Sequence, residues 1–291
     1  MKRAKYWQTL KNKWLECTLC PRHCKMDEGQ RGLCLGRHRI GDELFAETYG
    51  LACGLAIDPI EKKPLRHFLP GTEVLSFGTT GCNLTCGFCQ NVHLSRASVV
   101  EGNPLSPADI VHAAIDHQCA SVAFTYNEPT VFFEYALDTA KACHKSGIKT
   151  VAVSNGWIEP DPRKELYAHI DAANIDLKAF TDRFYHELCG ATLQPVLDTL
   201  LYLQNETRVH LEVTTLLIPG QNDSPAEIDA MTHWAVKHLG PDVPWHFSAY
   251  RPMPQWNLAP PTPLDTLLQA ESIAKQNGLR YIHLGNIGAT R

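Results

Sequence analysis

The sequence of 291 residues contains no apolar run that approaches the roughly 18 residues needed to cross a bilayer, which argues against a membrane-spanning helix. Its first residues, MKRAKYWQTLKNKW, lack the apolar core of a secretory signal peptide. No internal repeat or low-complexity tract is evident either. These absences favour a globular protein that works in the cytoplasm and has no membrane partner.

The sequence also lacks a strong excess of either charge, because its net charge is only −4. With an isoelectric point of about 6.4, this balance argues against nucleic acid as the main ligand. The charge is unevenly spread, since residues 1–40 carry ten Lys and Arg against three Asp and Glu. That basic end suits an acidic electron donor or partner, although a solvated surface with no fixed partner gives the same pattern.

Cysteine, by contrast, is plentiful, with 11 residues, and seven of them cluster at metal-binding spacing, which indicates reduced ligands rather than disulfides. The stretch GCNLTCGFCQN holds Cys82, Cys86 and Cys89 in a C-x3-C-x2-C pattern. Three thiolates on one short loop can bind three irons of a [4Fe-4S] cluster and leave the fourth iron open for chemistry. A zinc site would need a fourth ligand such as His93, which the spacing does not demand.

A second cysteine group lies near the start of the sequence, in CTLCPRHCKMDEGQRGLC. Four thiolates complete either a tetrahedral zinc shell or a fully ligated cubane, and the spacing does not separate the two metals. Reduced thiols in a loop are the alternative. The segment is polar and broken by glycine, so a metal would supply the ordering energy that it lacks. The predicted ligands of this second site are Cys17, Cys20, Cys24 and Cys34.

Strands and helices alternate from Glu73 onward, which predicts an α/β fold with a parallel sheet and right-handed crossovers. A boundary at Pro70 and Gly71 divides a cysteine-rich N-terminal region, residues 1–70, from a second domain, residues 71–291. Within the first region, Trp7, Leu10 and Trp14 recur at helical spacing and predict an amphipathic helix over residues 5–16.

Polar residues follow or end several of the predicted strands, where reactive groups gather in both open and closed parallel sheets. The candidates are Asn127 and Glu128, Ser154 and Asn155, and Asp176 and Lys178. Ordinary turns and a structural ion pair are the competing explanations. His210, Glu212, Thr214 and His246 are further candidates, for the substrate side, although a half-exposed strand gives the same alternation. The remaining cysteines are expected to be free and buried: Cys53, Cys119, Cys143 and Cys189.

The triplet Cys82-x3-Cys86-x2-Cys89, with Phe88 before its last cysteine, resembles the signature of the radical S-adenosylmethionine (SAM) superfamily. The longer run from Asp58 to Asn91 resembles a narrower group, the AmmeMemoRadiSam-system radical SAM enzymes, which are relatives of the pyruvate formate-lyase activating enzymes. The resemblance implies a partial (β/α)6 TIM-like barrel after a small cysteine-rich N-terminal segment. It also implies a [4Fe-4S] cluster that cleaves SAM to a 5′-deoxyadenosyl radical for hydrogen abstraction.

The same resemblance implies which residues bind SAM. Asn127 and Glu128 resemble the GGEP-type motif, although Tyr126-Asn127 replaces the usual Gly-Gly pair. On this basis Glu128 and Asp176 should matter for SAM binding more than for folding. The family often has a histidine where Arg251 stands, so no catalytic side chain is predicted. The predicted cofactor-binding set is Phe88, Asn127, Glu128, Ser154, Asn155, Asp176 and Lys178.

Partners follow from the family too: a low-potential electron donor of flavodoxin or ferredoxin type, and Memo-like and AMMECR1-like proteins as partners or substrates. The substrate itself cannot be read from the sequence. One alternative activity is activation of a glycyl radical enzyme. An alternative of another class is an iron–sulfur electron-transfer or metal-binding adaptor that never cleaves SAM.

Overall fold

The computed structural model describes residues 1–287, and its N-terminal part consists of short strands. These strands form two three-stranded antiparallel sheets, in the orders β1-β6-β5 and β2-β3-β4. Their bounds are β1 (Lys2–Arg3), β2 (Trp7–Thr9), β3 (Leu15–Cys17), β4 (Lys25–Met26), β5 (Arg37–Ile40) and β6 (Glu43–Ala46).

The helix predicted over residues 5–16 is wrong, because this stretch forms the hairpin of β2 and β3 with Trp7 opposite Cys17. Tyr6 and Lys13 have positive φ angles of 57° and 65°, which a continuous α-helix does not accommodate. The spacing of Trp7 and Trp14 therefore arises from two arms of a hairpin and imitates helical periodicity.

A nine-stranded sheet forms the centre of the molecule, in the order β15-β14-β13-β12-β11-β10-β8-β7-β9. Strand β8 and strands β10 to β15 run parallel, while β7 and β9 are antiparallel at one side. Their bounds are β7 (Leu51–Pro59), β8 (Glu73–Gly78), β9 (Asn103–Pro104), β10 (Ser121–Phe124), β11 (Lys149–Ser154), β12 (Ala172–Asp176), β13 (His210–Leu217), β14 (Trp245–Ala249) and β15 (Ile282–Gly285).

Each parallel strand is joined to the next through a helix, and this succession confirms the predicted partial (β/α)6 barrel. No helix of the described residues is long and apolar enough to cross a membrane. A 3-10 turn at Ile60–Lys62 and a π-helical turn at Tyr185–Cys189 complete the elements. The helices are α1 (Val92–Ser95), α2 (Pro107–Asp116), α3 (Phe133–Lys145), α4 (Pro160–Tyr167), α5 (Asp182–Phe184), α6 (Gln194–Glu206), α7 (Pro225–Leu239) and α8 (Leu264–Gln276).

Strand β7 belongs to the predicted N-terminal region but pairs with β8 of the barrel over most of its length. The sheet is thus continuous across the boundary predicted near residue 70, and the two-domain division stays a prediction. Local signals do set the helix starts: Ser106 and Asp109 form a capping box at α2, with Pro107 at its first position.

The carboxylate of Glu212, fully buried on β13, ties an irregular segment to the barrel. It accepts hydrogen bonds from the backbone N–H groups of Arg66 (3.1 Å) and His67 (2.8 Å). The ring nitrogens Nε2 of His246 and His210 lie 2.6 and 3.0 Å from its oxygens. Burial raises the pKa of Glu212, but these hydrogen bonds outweigh it and hold the pKa well below its usual range.

We expect Glu212→Gln to lower the free energy of unfolding at neutral pH by about 1.5–3 kcal/mol, because an amide accepts these bonds less well than a carboxylate. A pKa lowered from 4.5 contributes stability that is present above pH 4.5 and lost as the pH falls through the folded value. The difference between the two proteins should therefore shrink below that pH. Urea unfolding across the acid range measures it, with the exposed Glu187→Gln as control. A difference that widens on acidification contradicts this account.

Candidate active site

A cavity opens at the carboxyl ends of the parallel strands and contains about 1040 Å³ of empty space, part of it open to solvent. The loop between β8 and α1 supplies one side of it, including all three cysteines of the triplet. Ends of successive strands supply the other side, as the fold predicts for a reactive site. Its lining includes Cys82, Cys86, Phe88, Cys89, Thr125, Tyr126, Asn127, Ser154, Asn155, Asp176, Lys178, Thr214 and Ser248.

The three thiols of the triplet are partly buried and face this cavity. The backbone N–H of Leu84 donates to Sγ of Cys82 at 3.5 Å, and Sγ of Cys89 lies 3.2 Å from Oγ of Ser95. Burial raises the pKa of the Cys82 thiol well above its usual range, so a bound cation is needed to hold it as a thiolate. Three thiols on one loop are a donor set that suits iron.

Cys189 lies directly behind the triplet, which the sequence did not indicate. The Cys86 thiol, followed by burial, raises the pKa of Cys189, and the Cys189 carbonyl accepts from the backbone N–H of Thr85 at 2.8 Å. The expectation of a free, buried cysteine is confirmed for Cys189, Cys119 and Cys143 but is wrong for Cys53, which is partly exposed. The hydrophobic pattern of the sequence did not predict the π-helical turn that carries Cys189.

Asn127 lines the cavity, but its side chain is used by the cysteine loop. Its Oδ1 accepts from the backbone N–H of Thr79 at 3.0 Å, and its Nδ2 donates to Oγ1 of Thr79 at 3.0 Å and to the carbonyl of Gly81 at 2.8 Å. With all of these bonds made, the Asn127 amide holds the loop rather than presenting free polar atoms to a ligand.

Phe88 is buried beneath the segment that follows β14. Its ring packs edge-on against Trp256 and at a tilt against Phe184, with ring centroids 5.8 and 5.6 Å apart. A Cβ on Gly87 would lie 2.7 Å from the Trp256 ring, so glycine is required for this close approach. Trp256 therefore closes over the cysteine loop, a contact that the sequence did not predict.

Tyr126 has a left-handed backbone with φ of 69°, a conformation that costs energy for a bulky residue. Its carbonyl accepts from Nδ2 of Asn91 at 2.7 Å, and Nζ of Lys63 lies 4.8 Å from its ring centroid. This is the position where the GGEP-type motif has glycine, which adopts such a backbone freely. Tyr126 thus adopts a backbone conformation that glycine would permit freely, and its contacts with Asn91 and Lys63 stabilise it there.

Glu128 is fully buried one layer behind the cavity and does not line it. Its carboxylate accepts from Oγ1 and N–H of Thr130 (2.8 and 3.0 Å), from Oγ of Ser154 (2.9 Å) and from the N–H of Asn155 (2.8 Å). Burial raises the pKa of Glu128, while the four donors oppose the rise. Glu128 therefore positions Ser154 and Asn155, which do line the cavity.

Asp176 and Lys178 form an ion pair of 3.0 Å at the end of β12, and both line the cavity. Asp176 keeps 35% of its side chain exposed, in contrast to Glu128. Burial lowers the pKa of Lys178, but Asp176 and the thiol of Cys86 raise it more, so the ammonium stays charged. Nearby, Oγ1 of Thr214 has no hydrogen-bond partner among the described residues. These side chains are the free polar groups of the site.

Several candidates for the substrate side do not reach the cavity. Of that group only Thr214 lines it, because Glu212 turns toward residues 66–67 and takes His210 and His246 with it. The alternation along β13 correctly predicted that these residues share one face of the strand, but it did not show which of them lines the cavity. His93 is exposed and does not line the cavity either.

Comparison with known proteins gives the class of the molecule. The family model for the Radical SAM superfamily matches residues 77–231. An uncharacterized protein of Methanocaldococcus jannaschii is 40% identical over 289 residues, which cover 99% of this chain and 86% of that protein. The pyruvate formate-lyase 1-activating enzyme of Escherichia coli is 25% identical over 162 residues, 53% of this chain and 64% of that enzyme, so the match spans less than two thirds of its length.

A solved structure shares the fold at low identity: a radical SAM methyltransferase from Sphaerobacter thermophilus has a TM-score of 0.61 and 15% identity, covering 76% of this chain and 68% of that chain. The chain belongs to the radical SAM superfamily. It is therefore an enzyme that uses a [4Fe-4S] cluster and SAM, which confirms the predicted family and cofactors. The narrower assignment to the AmmeMemoRadiSam group and the individual site residues stay predictions.

The side chains at the cavity fit these two cofactors. Three cysteines from one loop can provide thiolates for three irons, and strand ends place carboxylate, ammonium, hydroxyl and amide groups around the adjoining space. SAM carries an amino group, a carboxylate and ribose hydroxyls, which need acceptors and donors of these kinds. Asp176, Lys178 and Thr214 satisfy that requirement with atoms that the fold leaves accessible.

We expect Glu128→Gln to lower the free energy of unfolding by about 1–3 kcal/mol, because its amide group would face donors that now meet a carboxylate. SAM binding should weaken as well, since Ser154 and Asn155 lose their support. This revises the expectation that Glu128 matters mainly for binding. Urea unfolding and calorimetric SAM titration measure the two effects, with Glu187→Gln as an exposed control. Unchanged values in both assays count against a positioning role.

Proposed function

We propose that the chain cleaves SAM reductively with a [4Fe-4S] cluster held by Cys82, Cys86 and Cys89. The observation that carries the proposal is that these three thiols face one cavity together with the polar ends of the parallel strands. A reduced cluster held there would supply the electron that splits SAM into methionine and a 5′-deoxyadenosyl radical, and this radical would abstract a hydrogen from a substrate. The protein orients these groups and limits the access of water.

The residues of the cavity have different roles in this proposal. The Asp176 carboxylate would accept from the SAM ammonium, and Lys178 and Thr214 would donate to its carboxylate or ribose oxygens. Phe88 provides an apolar surface beside the loop. Asn127 fixes the loop, and Glu128 acts through Ser154 and Asn155. This division is supported by which polar atoms already have partners in the fold and which do not.

The substrate is the open part of the proposal. Similarity to a pyruvate formate-lyase 1-activating enzyme supports activation of a glycyl radical enzyme as the alternative activity, although the match covers 64% of that enzyme. A flavodoxin- or ferredoxin-type donor in the cytoplasm and Memo-like or AMMECR1-like partners belong to the same proposal. Anaerobic co-purification from the native host tests these partners, and their consistent absence argues against them. An adaptor that never cleaves SAM is the alternative of another class.

Replacing Cys82, Cys86 and Cys89 together by alanine should abolish SAM cleavage, because the variant has no ligand for the catalytic cluster. The assay measures 5′-deoxyadenosine formed from SAM by dithionite-reduced protein under anaerobic conditions. The matched control replaces Cys53, Cys119 and Cys143, none of which lines the cavity, and it should retain activity. A wild-type protein that reduces fully but forms no 5′-deoxyadenosine favours the adaptor.

Asp176→Asn should weaken SAM binding by about 1.5–3 kcal/mol, or roughly 10- to 150-fold, because one charge-assisted contact is lost. Folding should change little, since this side chain is 35% exposed. The measurement is SAM affinity by calorimetry, with circular dichroism as the folding check. Asp198→Asn on the exposed side of α6 is the matched control. Equal affinities for both variants assign Asp176 a structural role instead.

A further inference from the structure

The cysteines near the start of the chain line a second cavity, separate from the proposed SAM site. It contains about 370 Å³ of empty space and is lined by Cys17, Cys20, Cys24 and Cys34. The backbone N–H of Cys17 donates to the carbonyl of Cys24 at 2.9 Å, which holds one pair together across the hairpin. Gly32, two residues before Cys34, lies beside Cys24, since a Cβ there would be in ordinary contact with Sγ of Cys24 at 3.7 Å.

The surroundings of this cavity favour a negatively charged group. Arg37 lines it and is only 1% exposed, and its Nη2 is paired with Glu134 at 3.0 Å. The Nε of Arg37 has no hydrogen-bond partner in the described part of the chain. A buried guanidinium nitrogen without a partner is costly unless an acceptor occupies the cavity. Metal–thiolate groups with four cysteines carry net negative charge and provide such an acceptor.

A cluster and a single ion make different demands on four thiols. Tetrahedral zinc places its sulfurs about 2.3 Å from one point, whereas a cubane has a separate iron for each thiolate and needs more space. The second cavity offers about 370 Å³ of empty space lined by its four cysteines. Zinc is also redox-inactive, so of the two groups only the cluster can exchange electrons with a neighbouring site.

The two cysteine sites adjoin each other through the backbone. Asn83, the residue after Cys82, lines the second cavity, and its carbonyl accepts from Nε and Nη2 of Arg22 at 3.0 and 2.8 Å. The main chain of Cys34 packs on Gly81 so closely that a Cβ on Gly81 would lie 1.8 Å from the Cys34 carbonyl oxygen. Cys34 of the second site thus packs against the loop of the first site, and the residue after Cys82 lines the second cavity.

We propose that Cys17, Cys20, Cys24 and Cys34 hold a second [4Fe-4S] cluster that relays electrons to the SAM-cleaving cluster. The electron donor is a low-potential one-electron carrier of flavodoxin or ferredoxin type. One electron passes from this donor to the second cluster and then to the first, so the donor loses one electron for each SAM cleaved. The excess of Lys and Arg in residues 1–40 offers an acidic donor a complementary surface at the second cluster.

The first test concerns the cluster alone and does not depend on SAM cleavage. After anaerobic reconstitution, the Cys82, Cys86 and Cys89 to alanine variant should retain about four irons and about four sulfides per chain. Further replacement of the four N-terminal cysteines should remove this iron, whereas replacement of Cys53, Cys119 and Cys143 should not. About one zinc per chain without iron, or a folded metal-free variant, overturns the proposal.

A second measurement avoids substitutions altogether. Dithionite-reduced wild-type protein should give two [4Fe-4S]⁺ electron paramagnetic resonance signals, of which SAM shifts only one, because a four-cysteine cluster has no open iron. A single signal that shifts completely overturns the second cluster. If no signal shifts while two clusters are present, the proposed function fails and the second cluster stands.

The relay itself is tested with Cys34→Ser and two reductants. With a reduced flavodoxin as donor, SAM cleavage should fall about tenfold or more, since the path from donor to catalytic cluster is impaired. With dithionite, which reaches the catalytic cluster from solution, cleavage should remain close to that of the wild type. Equal losses with both reductants indicate a structural role, and no loss with either one excludes the relay. The Cys143→Ser variant is the matched control.

Discussion

The hydrogen bonds of one amide, the side chain of Asn127, fix the start of the cysteine loop. The loop between β8 and the short helix α1 has little regular backbone of its own, so its shape must be imposed from outside. Three hydrogen bonds from Asn127 to Thr79 and Gly81 do this. Gly78 allows the approach, because a Cβ there would lie 2.4 Å from the carbonyl of Thr125. The residue at the GGEP-type position, Asn127, therefore holds the cysteine loop with its side-chain amide rather than presenting that amide to a ligand.

Much of the barrel was predictable from the sequence, because its strands are buried apolar runs and its helices have clear starts. Ser106 and Pro107 are a local signal for the start of α2, and the seven parallel strands agree with the strand–helix alternation expected from Glu73 onward. The N-terminal region was not predictable in the same way. Its short strands bury few residues, and the Trp7 and Trp14 spacing fits helix and hairpin equally well. Long-range pairing, which no local window contains, decided between them.

The site was predictable as a set of positions but not as a set of contacts. Residue type and strand-end placement identified Asp176, Lys178 and the cysteine triplet as cavity residues. The same reasoning treated Glu128 and Asp176 alike, whereas one carboxylate has four donors and the other is open to the cavity. Which donors surround a carboxylate depends on side chains distant in sequence. Trp256 and Cys189 were missed for the same reason, since both meet the cysteine loop from later segments.

The order of the lining residues along the chain has a consequence for biosynthesis. All seven proposed thiolate ligands lie within the first 89 residues, whereas the cavity wall includes Ser248 and Asn286. Because a ribosome makes the chain from its N-terminus at about 5–20 residues per second, the three thiols of the triplet emerge many seconds before their cavity can close. During that interval they are open to oxidation and to adventitious metals. We therefore expect the triplet to need a reducing environment until the last strands have folded around it.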